Sequence, residues 1–179
     1  MKALLAVTLV VHLTQIDQRK TVDQQIEESL SPLPESMRES ATVKGYGEAG
    51  NLVALRVGAD PIVCRADDPA VRAWVVVCYP KELEAFVARS QELTKGGAET
   101  PARIRTLTEE IRSGAIAMLP LAALYTRSGN SVENATGVVI LHVPNATAAS
   151  TGLPALPTPG MPWLAEAGTP MANIRITIS

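Results

Sequence analysis

The sequence predicts an α+β domain, a mostly antiparallel sheet with a helical hairpin packed on one side. Three observations carry this. Short apolar or alternating runs bounded by Gly and Pro recur at 41–46, 52–57, 62–65, 73–79, 121–126, 137–143 and 174–178. Two segments with helical periodicity lie together between the fourth and fifth of these runs. The connection between the two helices is about five residues, short enough to make them an antiparallel pair.

The chain opens with MKALLAVTLVVHLTQ, in which Lys2 precedes an apolar run from 3 to 11. That run is shorter than the roughly 20 residues of a membrane span, so no transmembrane span is expected, but it has the length of a signal-peptide core. Residues 1–15 are read as a signal peptide and 16–179 as one globular domain, with a buried N-terminal strand as the alternative for the first stretch. No A-x-A-like pair of small residues follows the run. From 17 to 30, Val22, Ile26 and Leu30 recur at every fourth position with charges between them, which predicts a short amphipathic helix on the surface of the body. SPLP at 31–34 ends it.

KGYGEAGN at 44–51 contains G-x-G-x-x-G, the spacing that holds a dinucleotide pyrophosphate. In that fingerprint the glycines open a helix whose N-terminus receives the phosphates. Here Gly50 is followed by NLVALRVGADP, whose alternation suits a strand and whose Gly58 and Pro61 leave little room for a helix. The motif is read instead as a hairpin turn between strands 41–46 and 52–57, with glycines at positive φ. No cofactor is expected.

Strand 62–65 leads through the Asp67-Asp68-Pro69 turn to AWVVVCY at 73–79, a near-continuous apolar run expected to be covered on both faces. Pro80 opens a helix with Leu83, Phe86, Val87, Ser90 and Leu93 on one face, stopped by Gly96 and Gly97. Thr100 as N-cap and Pro101 at the first position open a second, through Ile104, Leu107 and Ile111 to Gly114. Strand 121–126, the polar loop RSGNSVEN and GVVILHV at 137–143 follow, the last apolar on both faces and hence central. Residues 144–173 have no periodicity and carry six prolines, before Ile174, Ile176 and Ile178 alternate with Arg175 and Thr177 in a final strand.

Composition excludes several functions. The chain has one Phe, three Tyr and two Trp among 179 residues, so its core is aliphatic. Single-stranded nucleic acid is gripped by stacking on aromatics within a basic groove, and a net charge of -2 supplies neither part. No nucleic-acid partner is expected. Cys64 and Cys78 form a disulfide if the chain is exported, closing a segment of about 15 residues and contributing about 3 kcal/mol in the chain-entropy view. In a cytosolic chain they are two unrelated small core residues. Neither C-x-x-C spacing nor a neighbouring histidine suggests a redox or zinc site.

Chemistry-bearing residues are sparse. With a signal removed, His142 is the only histidine, so a hydrolase with a histidine base must use it, together with Ser150 or Thr151 and an acid. Its place in VVILHV favours a core or sheet-face histidine instead. No G-x-S-x-G elbow, S-x-x-K or P-loop occurs. Asp67 and Asp68 are adjacent before a proline and read as a turn with two solvated charges; Glu109 and Glu110 read as a solvated helix face. No metal site is expected from them. Paired carboxylates for sugar hydrolysis are not ruled out by spacing, but the aromatic platform such sites use is meagre here. The sequons at Asn134 and Asn145 have meaning only in a eukaryotic secretory pathway.

The strongest asymmetry is in charge, because residues 120–179 hold only Arg127, Glu133, Glu166 and Arg175. So apolar a segment is covered by its own domain or faces something else. Within it, NATAASTGLPALPTPGMPWLAEAGTPM sets Ser150, Thr151, Gly152 and Trp163 in a proline-stiffened frame of small residues. This reads as a binding loop for a protein or small-molecule partner, or as a lid in which Trp163 plugs the sheet.

ADDP with the strand and CYP that follow, ELEAFVARSQEL, PLAALYTRSG, and VPNATAASTGLPALPTPGMPWLAEAGTPMANIRI together resemble a group of exported bacterial proteins of unassigned activity. The resemblance spans the chain from about residue 25 onward and implies export, without implying catalytic residues. The expectation is an exported, periplasmic or extracellular binding or interaction module of the bacterial envelope, with 144–173 as its contact surface. The alternatives are an envelope hydrolase built on His142 with Ser150 or Thr151, and a purely structural envelope protein.

Overall fold

The computed structural model describes residues 20–178. The signal-peptide assignment for 1–15 and the first positions of the expected N-terminal helix lie outside the described residues. Among the described residues there are eight strands: β1 Thr42–Tyr46, β2 Leu52–Arg56, β3 Ile62–Arg65, β4 Trp74–Pro80, β5 Ala123–Gly129, β6 Thr136–His142, β7 Trp163–Ala165 and β8 Asn173–Ile178. They form one sheet in the order β2-β1-β3-β4-β5-β6-β8-β7. Every neighbouring pair is antiparallel except β1 and β3. With helices α1 Val22–Leu30, α2 Glu35–Arg38, α3 Glu84–Lys95, α4 Thr100–Arg112 and α5 Ala148–Thr151, the chain has the expected α+β architecture.

Alternation along β4 separates the two cores. Val77 and Tyr79 pack with Leu83, Phe86 and Val87 at the start of α3 and with Leu107 of α4. Cys78 faces the other way, with Cys64, Val43, Leu30 and Leu33 beneath α1. The helical hairpin therefore lies on one face and the N-terminal helix on the other. Cys64 and Cys78 are direct partners in the β3–β4 register and are joined as a disulfide, both fully buried. Arg89 clamps the hairpin by donating from Nη2 to Glu110 Oε1 at 2.7 Å and from Nε to Glu110 Oε2 at 3.1 Å.

The G-x-G-x-x-G stretch is a hairpin turn. Gly50 N–H donates to Gly47 O at 2.9 Å, and its φ of 73° is the left-handed conformation that a side chain resists. Gly47 N–H donates to Asn51 O at 3.0 Å and starts the β1–β2 ladder. Gly45 has a different reason: a Cβ there would sit 2.6 Å from Gln25 Oε1 and 2.4 Å from Leu55 Cδ1.

Gln25 has a structural role that its polarity conceals. The parallel β1–β3 pairing reaches only to Lys44 and Arg65, so the Tyr46 backbone lacks a strand partner on that side. The Gln25 amide takes the strand's place, with Tyr46 N–H donating to Oε1 at 2.7 Å and Nε2 donating to Tyr46 O at 3.1 Å. Nε2 also reaches Lys20 O at 3.3 Å.

This changes the reading of α1. Thr21 is its N-cap, in a capping box with Gln24, and its buried residues are Gln25, Ser29 and Leu30. Val22, expected on the inward stripe, is 51% exposed. The helix is turned by its polar anchor and is bound to the sheet.

Other boundaries also shift. The second hairpin helix is capped by Glu99, with Thr100 inside and Pro101 one position later than expected. A 3-10 turn, Lys81–Leu83, precedes α3. β5 begins two residues later than expected, because Leu121 adopts φ 60° and is 71% exposed. β6 is interior in strand order, but its middle residues are only half-buried, so an apolar run marked position in the sheet and not full cover.

Gln25→Ala should cost about 2–3 kcal/mol, because it strands a backbone N–H and C=O that water does not freely reach. Urea denaturation followed by circular dichroism measures this. Val22→Ala, on the exposed side of the same helix, should stay within about 0.5 kcal/mol.

Candidate functional site

The charge-poor segment 144–173 is built, not loose. Val143 N–H donates to Ala172 O at 2.9 Å, Asn145 N–H to Thr169 O at 2.8 Å, and Gly168 N–H to Ala146 O at 2.7 Å, which tie its two ends together. Further out, Leu164 N–H donates to Pro154 O at 2.8 Å and closes 154–164 into a compact Ω-type loop. Leu164 is fully buried at its base, whereas Leu156 and Met161 are 76% and 53% exposed on its rim. Within it, Met161 N–H donates to Thr158 O at 3.1 Å, and Gly160 has φ 73°.

The residues proposed from sequence fall into separate roles. Trp163 is half-buried at the start of β7, opposite Arg175 of β8, so it lies where the loop passes into an edge strand. Ser150 and Thr151 lie on α5, and their hydroxyls are used locally. Thr147 N–H donates to Ser150 Oγ at 2.9 Å, and Thr151 Oγ1 donates to Thr147 O at 2.9 Å. Gly152 ends this helix in the left-handed conformation, φ 71°.

His142 is 2% exposed, and neither ring nitrogen has a hydrogen-bond partner. The Phe86 ring meets it edge-on, with centroids 5.5 Å apart. Burial, reinforced by the nearby Arg175 guanidinium, pushes its pKa down to about 4. A general base needs its nucleophile within hydrogen-bond reach. Among the described residues no hydrogen bond joins His142 to Ser150 or Thr151, so the arrangement is that of a neutral core histidine.

A second region forms at the opposite end of the sheet, where Trp74 of β4 pairs with Gly129 of β5. A cavity of about 660 Å³ opens between α1, the β3–β4 loop and the β5–β6 loop. Trp74 Nε1 donates to Glu28 Oε2 at 3.1 Å. Lys20 Nζ lies 2.5 Å from the same carboxylate, 3.7 Å from Asp67 Oδ2 and 5.7 Å from the indole centroid. Arg127 approaches the ring to 5.8 Å while donating from Nη2 to Val132 O at 3.2 Å.

The Asp67-Asp68 turn is therefore not a pair of solvated charges: their side chains are 18% and 14% exposed. Asp67 Oδ1 accepts from Val75 N–H at 2.9 Å, and Asp68 Oδ1 accepts from Ala70 N–H at 2.9 Å. Burial raises the Asp67 pKa in spite of that N–H and the Lys20 ammonium. The Glu109-Glu110 pair is corrected too, since Glu110 holds Arg89 and Glu109 pairs with Arg112. No sequence motif announces the cavity, because its walls come from three distant segments; the one available signal was Trp74, a scarce aromatic beside the paired aspartates.

Another polar cluster lies on the hairpin face. Tyr79 Oη donates to Glu84 Oε2 at 2.9 Å, and Lys44 Nζ lies 2.9 Å from Glu84 Oε1. Burial pushes the Glu84 carboxyl up, but the bonds from Lys44 and Tyr79 outweigh it and its pKa is lowered. Arg65, 8% exposed beside them, balances the acid. Among the described residues no group of three or more His, Cys, Asp or Glu is placed to hold a metal ion.

No family model matches this chain, and neither a curated protein nor a solved structure is similar to it.

The His142 environment predicts a pH dependence. Its pKa is depressed in the fold, so its contribution is complete above the unfolded value of 6.5 and is lost as pH falls from there toward about 4. The loss should be about 3 kcal/mol at most, the full linkage of a shift of this size. Denaturant unfolding of the native protein and His142→Leu between pH 7 and 4 should give curves whose difference has this slope; parallel curves would refute the burial argument.

Proposed function

We propose that the chain is an exported binding module of the bacterial envelope, and that the 154–164 loop is its contact with a protein partner. The observation that carries this reading is the loop's construction. A backbone bond closes it, a buried leucine roots it, and prolines stiffen it, yet Leu156 and Met161 point away from the protein's own core. A fold gains nothing from holding two large apolar side chains in water. A partner with an apolar recess gains affinity from them, because proline restraint lowers the ordering cost of binding.

Export is supported by the buried Cys64–Cys78 bond, since disulfides persist in oxidising compartments. Among the described residues no helix is long and apolar enough to cross a membrane. The hydrolase alternative gains no support from the site, where His142 is enclosed and both hydroxyls cap α5.

Two measurements test this proposal. Expressed with its own N-terminus in a bacterial host, the protein should lose roughly its first 15 residues and two hydrogens by intact mass. A full-length chain with two free thiols would overturn export. Separately, a photocrosslinker at Leu156 should give a discrete adduct in the envelope, whereas one at Val57, 83% exposed at the opposite edge, should not. Leu156→Asp with Met161→Asp should abolish that interaction while leaving the melting temperature within about 2 °C, since surface changes are nearly neutral. Equal crosslinking from both positions would count against the loop.

A further inference from the structure

The cavity beside Trp74 lies at the far end of the sheet from this loop, and its chemistry is different. It combines one aromatic ring, two partly buried carboxylates and a charged occupant supplied by the chain itself. Lys20 Nζ meets Glu28 at 2.5 Å and Asp67 at 3.7 Å, and stands 5.7 Å from the Trp74 centroid. An indole and flanking carboxylates are the groups that receive an alkylammonium, the ring quadrupole attracting the cation while the acids accept its three N–H bonds. Both acids are held from behind: Trp74 Nε1 fixes Glu28, and Val75 N–H fixes Asp67. The cage is thus preorganised by groups that remain when the lysine leaves.

The space is larger than its occupant needs. About 660 Å³ lies open around the Lys20 side chain, within the range of small-molecule sites. Apart from Lys20, the charges about the indole and the cavity are Glu28, Asp67 and Glu133 against Arg72 and Arg127, which leaves one negative charge in excess. Lys20 precedes the helix cap at Thr21 and its side chain is 36% exposed, so it can swing out without disturbing α1.

We propose that this cavity is a binding site for a primary alkylammonium ligand, whose ammonium takes the position of Lys20 Nζ between Trp74, Glu28 and Asp67. Lys20 is then a built-in competitor that weakens binding until it is displaced. A ligand with a second cationic group gains from Glu133 on the rim, so a short diamine is a suitable probe.

The test titrates 1,4-diaminobutane into the folded protein by calorimetry at constant ionic strength. Lys20→Ala should bind at least ten-fold more tightly than the native protein, because the competitor is gone. Adding Glu28→Gln to that variant should weaken binding at least ten-fold. Absence of binding to Lys20→Ala, or equal affinity with and without Lys20, overturns the proposal, as does binding indifferent to Glu28→Gln. Lys20→Ser serves as a second background if Lys20→Ala is poorly folded. The affinity ratios do not depend on the 154–164 loop, so failure here leaves the partner-binding proposal standing.

Discussion

The arrangement depends on one strand being buried from both sides. In β4, Val76, Cys78 and Tyr79 are fully enclosed, and the last two commit the strand to different neighbours. Cys78 fixes it to β3 and turns that face toward α1. Tyr79 faces the hairpin core and sends its hydroxyl to Glu84 at the start of α3. A one-residue slip would put Cys78 among the hairpin leucines and Tyr79 against the disulfide, so the register is tightly specified. Both candidate sites inherit that rigidity. Trp74, which lines the cavity, is the first residue of this strand, and the charge-poor segment springs from β6, joined to β4 through β5.

A core with one phenylalanine needs cover from many small contacts. The protein achieves this in part with polar groups doing what strands or aromatics would do elsewhere. Gln25 stands in for a strand next to Tyr46, and Asp67 and Asp68 satisfy the amides of the turn into β4. Arg89 holds the hairpin through a bidentate contact. These groups are half-buried or buried, and the low dielectric around them makes a satisfied bond firm and an unsatisfied one costly. His142 has no such bond, since its ring lies in the core without a hydrogen-bond partner, and burial, reinforced by the nearby Arg175 guanidinium, keeps it neutral.

Much of the fold was legible because its signals are local. β3 has the predicted bounds, the glycine turn was recognised from the alternation after it, and the helical hairpin was marked by proline and glycine at its ends. What escaped depends on contacts between segments remote in sequence. The apolar stripe of α1 did mark Ile26 and Leu30, which pack inward, but not Gln25, whose bond to residue 46 sets the helix against the sheet and leaves Val22 exposed. Adjacent aspartates before a proline resemble a solvated turn until β4 returns and offers Asp67 the amide of Val75. Leu121 gave no warning that it would take positive φ. Segment 144–173 stands out in the sequence for its missing charge, but its short helix and the edge strand that carries Trp163 have no periodicity long enough to see.

The few charges of residues 120–179 explain why the two ends of the sheet behave differently. Arg127 is committed to Trp74 and Val132, and Glu133 stands on the rim of the cavity, so half of this small set serves the Lys20 end. Arg175 is held by Asn173 beside His142; burial lowers its pKa, and Glu166 partly offsets that. Nothing charged is left for the 154–164 loop, whose chain contains no Asp, Glu, Lys or Arg at all. Its outer surface is therefore prolines, Leu156 and Met161. A purely structural filler would be expected to cover such groups with its own core, as Leu164 is covered at the base. Because the same loop buries one leucine completely and exposes another, the exposure of Leu156 is a property of the loop's design, not a consequence of composition.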